Sequence, residues 1–340
     1  MRVEDLRYEL PDAAIAQRPL EPRDSARLLV APRRGAVTHR VVRDLPDLVG
    51  PGDLLVVNDT RVLPARLLLH KRTGGAVEVL LLSAVSADHS VWEALVRPGK
   101  RVRPGTELVD ADGQAVLTVG GNRGEEGCRE VALHDVGGAA DAHRLVARCG
   151  VMPLPPYIHE PLADAERYQT VFARVPGSVA APTAGLHLTD DVLARCRAAG
   201  AAVAPVTLDV GLGTFRPMTT VNVADHNMHA ERYAIPADTL DAIASAERVI
   251  AVGTTSLRTL EAWAATGEVS GSTDLFIYGQ YDFRVVDRLF TNFHLPGSSL
   301  LALLDAFTDG AWRALYEVAL AQGYRFLSFG DAMLVDRATS

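Results

Sequence analysis

The hydrophobic pattern changes character along the chain, and the changes predict where its domains lie. Near the amino terminus, the apolar run at residues 54–57 predicts a buried strand. Over residues 67–150, short strand-like runs at 77–82, 91–96 and 115–119 are separated by turns rich in glycine and aspartate. Short strands at this spacing are typical of a small β-barrel or sandwich.

Beyond residue 151 the pattern alternates between helices and strands. It predicts helices over 190–199, 255–263, 300–307 and 312–322, and strands over 201–208, 248–253 and finally 324–329. Such alternation indicates an α/β domain. We therefore predict an α/β main domain formed by residues 1–66 and 151–340, with an all-β, barrel-like domain inserted over residues 67–150.

Composition narrows the class of protein. The chain has 340 residues, of which 48% are hydrophobic and 22% charged, as in a globular protein with two domains. The net charge of −8 argues against general binding to nucleic acid. Residues 61–103 nevertheless hold eight basic and three acidic side chains, a local charge of +5. This segment is either a basic surface for RNA or a solvated hairpin.

Three features bear on localisation. No apolar run approaches the roughly 20 residues of a membrane span, and the first residues lack the apolar stretch of a secretory signal. Cys128, Cys149 and Cys196 are widely spaced, which favours free thiols over a disulfide framework or a zinc ribbon. We expect a cytoplasmic protein that binds no membrane.

The segment 167–187 is the first candidate for a binding loop. It combines glycine, prolines and hydrogen-bonding side chains, and it lacks the apolar periodicity of a packed element. Loops of this composition bring the backbone close to a ligand. The candidate binding residues are Tyr168, Thr183 and His187.

A second candidate begins at Gly253, where a predicted strand leads into a helix. Free N–H groups at a helix start, beside the hydroxyls of Thr254, Thr255 and Ser256, suit a carboxylate or a phosphate, and Arg258 follows one turn later. The motif is not a P-loop, since no lysine follows the glycine. A simple capped helix is the alternative, because threonine and serine are good caps.

A third candidate combines imidazoles with a carboxylate. His226, His229 and Glu231 lie within six residues, and in a strand His229 and Glu231 would share a face. The cluster suits proton transfer or substrate binding. A metal site or a surface cluster is the alternative, although the spacing is not that of the His-Glu-x-x-His zinc motif.

Further polar residues follow predicted strands or turns. Those just past the strand at 54–57 lie where α/β proteins place ligands, although turn formation explains Asn58 equally well. Packing or turn formation is the alternative for the others. The residues are Asn58, Thr60, Arg61, His294 and Asp331.

Together these segments resemble one family, the S-adenosylmethionine:tRNA ribosyltransferase-isomerases of queuosine biosynthesis. The resemblance is specific because many motifs occur in the same order along nearly the whole chain, while residues 67–150 resemble the family only in position and character. The chain is identified as a divergent member. The motifs lie at 8–11, 15–24, 52–62, 152–158, 167–187, 211–217, 226–231, 253–259, 291–296 and 326–333.

The resemblance implies an enzyme that transfers and isomerises the ribosyl moiety of S-adenosylmethionine onto 7-aminomethyl-7-deazaguanine in tRNA. Epoxyqueuosine forms, and adenine and methionine are released. S-adenosylmethionine is then a substrate, tRNA is the partner, and neither a metal nor another cofactor is expected. We expect a monomer rather than an obligate oligomer.

Roles for individual residues follow from the same resemblance. The sulfonium acidifies the neighbouring C5′ protons, so His229 or Glu231 would supply a base, with Asp331 as another candidate. The helix start at 254–256 would hold the methionine carboxylate. Aromatic rings would contact adenine or the sulfonium, and arginines would meet phosphate or a substrate anion. The rings are those of Tyr168, Phe215 and Phe293, and the arginines are Arg61, Arg66 and Arg174.

Some positions depart from the family pattern. Asp209 stands where a histidine is expected, Arg288 where glycine is usual and Asp59 where asparagine is frequent, and Gly279-Gln280 replaces a Pro-Gly turn. Two alternatives therefore stay open. One is the same chemistry on a small-molecule acceptor, which the acidic net charge favours slightly, and the other is a non-catalytic RNA-binding relative.

Overall fold

The structure is a computed structural model that describes residues 1–123, 127–211 and 217–338. Its strands are β1 (Arg27–Ala31), β2 (Thr38–Val41), β3 (Asp53–Asn58), β4 (Thr60–Val62), β5 (Arg66–Lys71), β6 (Ala76–Ala84), β7 (Val91–Arg97), β8 (Thr106–Val109), β9 (Ala115–Asn122), β10 (Cys128–Leu133), β11 (Gly150–Val151), β12 (Val175–Ser178), β13 (Ala202–Leu208), β14 (Glu231–Ala234), β15 (Arg248–Val252), β16 (Ser270–Thr273), β17 (Arg288–Asn292) and β18 (Ala332–Asp336). Its α-helices are α1 (Ala139–Cys149), α2 (Asp190–Ala198), α3 (Ala237–Ser245), α4 (Thr254–Thr266), α5 (Ser299–Thr308) and α6 (Trp312–Ala321). Within these described ranges, no helix is long and apolar enough to cross a membrane.

The chain divides into two compact units. The first consists of Met1–Arg61, Pro155–Val175 and Ala181–Ser340, and the second of Val62–Leu154 and Pro176–Ala180. The second unit thus includes the segment 176–180, which the hydrophobic pattern did not assign to it.

A nine-stranded mixed sheet forms the centre of the first unit, in the order β16-β14-β13-β3-β15-β17-β18-β1-β2. Strands β13, β3, β15 and β17 run parallel to one another, and β18 runs antiparallel to β17. All six residues of β3 are buried, as expected for a parallel strand covered on both faces. On one face, Val192 of α2 packs with Leu55, Ile250 and Phe290 of the sheet. The predicted α/β class is confirmed.

The second unit contains a closed barrel. Its sheet runs β11-β5-β6-β7-β10-β9-β8, and a further pairing of β5 with β8 closes six of these strands into a barrel. Along β7, Trp92 and Val96 are buried while the residues between them alternate in exposure, because every second side chain of a barrel strand points inward. The predicted barrel is confirmed, but the unit is not purely β. Helix α1 buries only Ala142 and Val146, and so narrow an apolar stripe did not predict a helix.

The predicted final strand over 324–329 is wrong. This segment folds into a tight turn, in which a Cβ added at Gly330 would lie 2.4 Å from the carbonyl oxygen of Arg325. Asp331 holds the turn in place, because its Oδ2 accepts the N–H of Arg325 at 2.8 Å and its Oδ1 accepts that of Arg27 at 2.9 Å. Apolar residues in such a turn imitate a strand, and the last strand is β18.

Candidate active site at the carboxyl edge of the large sheet

The large sheet places polar residues along one edge. Strands β13, β3, β15 and β17 all end there, and β18, which runs antiparallel to β17, begins there. Open α/β sheets bind their ligands at this edge. The polar or helix-starting residues next to these strand ends are Asp209, Asp59, Gly253, Asn292 and Asp331.

The first cleft at this edge lies at the start of α4 and is called the α4 cleft below. It has a volume of about 370 Å³. Its apolar wall comes from α5 and the segment 275–277, and its polar wall from Glu231, Thr254, Thr255 and Arg258. The fold therefore brings four of the predicted site residues together.

A buried ion pair joins Arg258 and Glu231 in the α4 cleft. Arg258 Nη1 donates to Glu231 Oε2 at 2.6 Å, and the two side chains are 9% and 7% exposed. Glu231 Oε1 accepts the Gly211 N–H at 2.8 Å. Arg258 Nη2 also donates to the carbonyls of Thr273, at 3.0 Å, and His229, at 3.4 Å. With strong donors on both oxygens, Glu231 is better suited to position Arg258 than to take a proton from a substrate.

The start of α4 presents donors to the same cleft. The first backbone N–H groups of any helix lack a partner within the helix. Gly253, which precedes α4 with a φ of 90°, has no side chain that could cap them. The hydroxyl of Thr255 is buried, and no residue of the described chain forms a hydrogen bond with it. The Ser256 hydroxyl instead donates to the Val252 carbonyl at 2.9 Å, which leaves only its backbone N–H for a ligand. Free donors at the start of a helix are chemically suited to an anion.

The two histidines of the 226–231 motif differ in their surroundings. The His226 ring is half-buried and lies edge-on to Phe276, with 5.5 Å between the ring centroids. His229 is exposed and adjoins Met228, which lines the α4 cleft. Across the described ranges, no three His, Cys, Asp or Glu side chains come together as ligands for a metal ion. The motif thus places an exposed histidine directly after a residue that lines the cleft.

Asp209 pairs with Arg232, the residue next to Glu231 in β14. Its side chain is 22% exposed, and an oxygen lies 3.4 Å from Arg232 Nη2. Burial raises the pKa of Asp209, Arg232 opposes this effect, and Glu231 adds to it. A carboxyl group with a raised pKa is a candidate for proton transfer. The sequence showed the aspartate at this position but gave no sign that its charge interacts with that of Glu231.

A second cleft, called the histidine cleft, lies at the end of β17 and has a volume of about 290 Å³. Leu300 lines both this cleft and the α4 cleft. Its polar lining includes the predicted residues Thr183 and His294, together with Asn292 and Tyr157. Sequence reasoning missed the last two, although both fall within motifs shared with the family.

Hydrogen bonds through Asn292 determine which nitrogen of His187 carries a proton. Thr183 Oγ1 lies 3.0 Å from Asn292 Oδ1, and Asn292 Nδ2 lies 3.3 Å from the Leu327 carbonyl oxygen. The flipped amide would point one oxygen at another, so Nδ2 is the donor. It donates to His187 Nε2 at 2.9 Å, and the neutral ring therefore carries its proton on Nδ1.

Two buried histidines are expected to make the protein less stable in acid. Burial, with a contribution from three nearby arginines, lowers the pKa of His187 to about 3, and burial lowers that of His294 to about 3. Unfolded histidine titrates near 6.5, so the unfolded state binds more protons as the pH falls from about 6.5 towards 3. We expect each histidine to lower the free energy of unfolding by roughly 2 kcal/mol between pH 6.5 and pH 5.

Urea unfolding on both sides of pH 6.5 measures this loss, and the His294→Gln variant is the control. Because glutamine does not titrate, the variant is expected to show a shallower decline than the wild-type protein. An equally steep decline would assign the loss in acid to other groups.

Two of the rings predicted to contact adenine or the sulfonium are fully buried in this structure. Tyr168 and Phe293 are both 0% exposed. Tyr168 packs edge-on against Phe329 at 6.1 Å, and Phe293 lies 4.6 Å from Phe326 between ring centroids. Both rings pack in the core, and Phe293 is also one of the residues that line the histidine cleft. Phe215, the third predicted ring, lies outside the described residues.

Three other predicted residues reach the expected edge, where they form hydrogen bonds within the fold. The amide of fully buried Asn58 donates to the carbonyl of Leu208 and accepts its N–H, each at 3.0 Å. Thr60 is also fully buried, and its hydroxyl lies 3.4 Å from the Val175 carbonyl oxygen and forms a hydrogen bond with the side chain of Asp209. Asp331 accepts two backbone N–H groups, as described above. These hydrogen bonds satisfy buried polar groups of the fold.

The three predicted arginines form ion pairs, and so do two of the residues that depart from the family pattern, Asp59 and Arg288. Arg61 Nη2 lies 2.5 Å from a carboxylate oxygen of Glu166, and Arg66, in the second unit, is also paired with a glutamate. Arg174 Nη2 lies 2.7 Å from an oxygen of buried Asp59, which gives the acid at that position a partner. The buried Arg288 likewise pairs with an aspartate, Asp336, at 2.6 Å.

The fold defines an α/β protein with an inserted β-barrel and with clefts at the carboxyl edge of its large sheet. A family model described as "Queuosine biosynthesis protein" matches residues 3–335. The S-adenosylmethionine:tRNA ribosyltransferase-isomerase of Rubrobacter xylanophilus is 51% identical over 98% of each chain, and that of Symbiobacterium thermophilum is 51% identical over 98% of this chain and 100% of its own. The crystal structure of S-adenosylmethionine tRNA ribosyltransferase from Thermotoga maritima is 35% identical, covers 97% of this chain and 99% of its own, and superposes with a TM-score of 0.54. The chain belongs to the queuosine biosynthesis protein family, and it is an enzyme of the ribosyltransferase-isomerase class.

Proposed function

We propose that this enzyme transfers and isomerises the ribosyl moiety of S-adenosylmethionine onto 7-aminomethyl-7-deazaguanine in tRNA, forming epoxyqueuosine and releasing adenine and methionine. The names of its relatives give S-adenosylmethionine and tRNA as the substrates of those enzymes. The observation that supports the proposal most is the α4 cleft, where the unpaired donors at the start of α4 lie beside a buried Arg–Glu pair. S-adenosylmethionine has a carboxylate that suits these donors.

In this proposal the start of α4 binds the methionine carboxylate. The first N–H groups of the helix and the Thr255 hydroxyl donate to its oxygens, and the positive end of the helix dipole favours its charge. Arg258, held by Glu231, contributes a buried cation to the same cleft. The carboxylate would thereby fix the position of the neighbouring sulfonium.

The proposed base is His229, which would take a C5′ proton acidified by the sulfonium. His229 is exposed and directly follows Met228, which lines the α4 cleft. Both oxygens of Glu231 and of Asp331 accept hydrogen bonds within the fold, so neither carboxylate is proposed as the base. The carbanion so formed begins the rearrangement, during which the acceptor amine bonds to the ribosyl group and adenine and methionine leave. Asp209 is the second candidate for proton transfer, because burial raises the pKa of its carboxyl group.

We further propose that the reaction needs no metal and no cofactor beyond S-adenosylmethionine as substrate, and that it takes place in the cytoplasm, where tRNA is modified. Turnover in the presence of a chelator tests the first part. Loss of activity that added metal restores would contradict it.

Mass spectrometry tests the function directly. Purified protein is incubated with S-adenosylmethionine, with and without tRNA that carries the aminomethyl-deazaguanine. We expect adenine and methionine to appear together with a heavier tRNA nucleoside, and only when that tRNA is present. Release of adenine without a change in the RNA would favour a small-molecule acceptor. Binding of the donor without any release would favour the non-catalytic alternative.

Replacing Thr255 by valine tests the carboxylate site. The variant keeps the shape of the side chain and removes the hydroxyl, so we expect the KM for S-adenosylmethionine to rise roughly tenfold with little change in kcat. Thr259→Val is the matched control, because the Thr259 hydroxyl donates to the Thr255 carbonyl within the helix at 3.0 Å. Equal KM values for Thr255→Val and the wild-type enzyme would move the carboxylate elsewhere.

A further inference from the structure

A third cleft is lined by Arg23, Arg167 and Arg325 and is called the arginine cleft. Its volume is about 250 Å³, and Ser328 lines both this cleft and the histidine cleft. His187, which is 5% exposed, lies among the three guanidinium groups. The described residues that line the cleft include no carboxylate.

Each guanidinium group is held by backbone carbonyls. A guanidinium has five N–H donors, so these bonds orient the group and use only part of its capacity. Groups oriented before binding lose little conformational entropy when a ligand arrives. The bonds run from Arg23 to Gln169 at 2.9 Å, from Arg167 to Leu20 at 2.6 Å, and from Arg325 to Phe329 at 2.7 Å and to Arg18 at 3.2 Å.

The positive charge of the cleft is only partly compensated. Glu21 pairs with Arg167 from the surface, where the glutamate side chain is 70% exposed. The charge of Asp331 raises the pKa of Arg325, but both oxygens of Asp331 accept hydrogen bonds from backbone N–H groups. Burial and the neighbouring Arg167 lower the pKa of Arg23, while Glu21, Asp164 and Asp190 oppose them. Holding these cations close together in a half-buried cleft is unfavourable unless an anion joins them.

We propose that the arginine cleft binds a phosphoryl oxyanion, and that a phosphate group of the RNA acceptor supplies it. A carboxylate has two oxygens and typically pairs with one guanidinium group through two parallel hydrogen bonds. Three guanidinium groups offer more donors than that, and a phosphate group suits recognition by several arginines. The RNA source rests on the proposed function, while the oxyanion chemistry does not. Inorganic phosphate shares that chemistry, and the experiment below separates the two sources.

RNA binding tests the proposal without any turnover. Fluorescence anisotropy with unmodified tRNA, in the absence of S-adenosylmethionine, is measured across a range of salt for wild-type protein, Arg23→Gln and Arg325→Gln. Each variant is expected to lose roughly tenfold in affinity, and the slope of log K against log salt is expected to fall by about 0.7 to 0.9.

The matched control is Arg18→Gln. The side chain of Arg18 is 80% exposed and pairs with Glu160, so the variant removes the same charge from the neighbouring segment without touching the cleft. For this variant, we expect the slope of log K against log salt to be nearly that of the wild-type protein. Arg23→Lys keeps the charge, and it is expected to keep the slope while losing part of the affinity. The Tm of every variant shows whether it is folded.

Inorganic phosphate provides the second measurement and uses the wild-type protein. At constant ionic strength, phosphate is expected to raise the Tm and to compete with RNA, and Arg325→Gln is expected to lose both effects. If phosphate stabilises the protein but Arg23→Gln and Arg325→Gln bind RNA as Arg18→Gln does, the RNA source is overturned. If phosphate neither stabilises the protein nor competes, the oxyanion site itself is overturned. Failure of adenine release would contradict the proposed function and leave these binding results unchanged.

Discussion

Replacing His229 by alanine is expected to lower the rate of adenine release roughly 100- to 10,000-fold, the range typical of a lost general base. The free energy of unfolding should change by no more than about 0.5 kcal/mol, because the imidazole is exposed. Single-turnover measurements with S-adenosylmethionine and modified tRNA give the rate, and urea unfolding gives the stability. The combination of a large kinetic effect and a small effect on stability would mark a residue that contacts the reacting atoms.

The control for this experiment is His226→Ala. His226 lies three residues earlier, and its ring is half-buried against Phe276, so its loss should leave turnover within a few-fold of wild type. If His229→Ala keeps wild-type turnover, the base lies elsewhere, and Asp209 becomes the next candidate because of its raised pKa. Equal losses in both histidine variants would indicate a disturbed loop rather than a lost base.

Replacing Arg258 by methionine is expected to destabilise the protein by about 3–5 kcal/mol, because it leaves Glu231 buried without its cation. The double variant Arg258→Met with Glu231→Leu should recover most of this loss, since apolar side chains of similar volume replace a buried ion pair at little cost. Urea unfolding of the single and double variants measures the coupling between the two residues.

Arg232→Met is the matched control for the buried pair. Arg232 adjoins Glu231 in β14, but its side chain is 52% exposed and lies 3.4 Å from Asp209, so its loss should cost at most about 1 kcal/mol. A stable double variant without turnover would show that the pair positions the site as well as stabilising the fold. A single Arg258→Met variant as stable as the wild type would contradict the energetic role.

The hydrophobic pattern predicted some secondary-structure elements correctly and failed for others. Strand β3 and the start of α4 were predicted within a residue or two, because a run of apolar residues and a glycine before three hydroxyl residues are local signals. The pattern failed at residues 324–329, where apolar residues form a turn that Asp331 holds through backbone groups on two segments. It also missed helix α1, whose apolar stripe is narrow.

The sequence by itself determined the α/β and barrel composition, the family, and the polar segments from which the site is built, because periodicity, caps and motif order reside in neighbouring residues. Only the tertiary structure decided which of these polar atoms are available. It closed Glu231 onto Arg258, buried Tyr168 and Phe293 in the core, and left the Thr255 hydroxyl in a cleft without a partner. The physical reason is that a side chain's hydrogen-bond partners and burial depend on segments far away in the chain, which strand order brings together and no local pattern records.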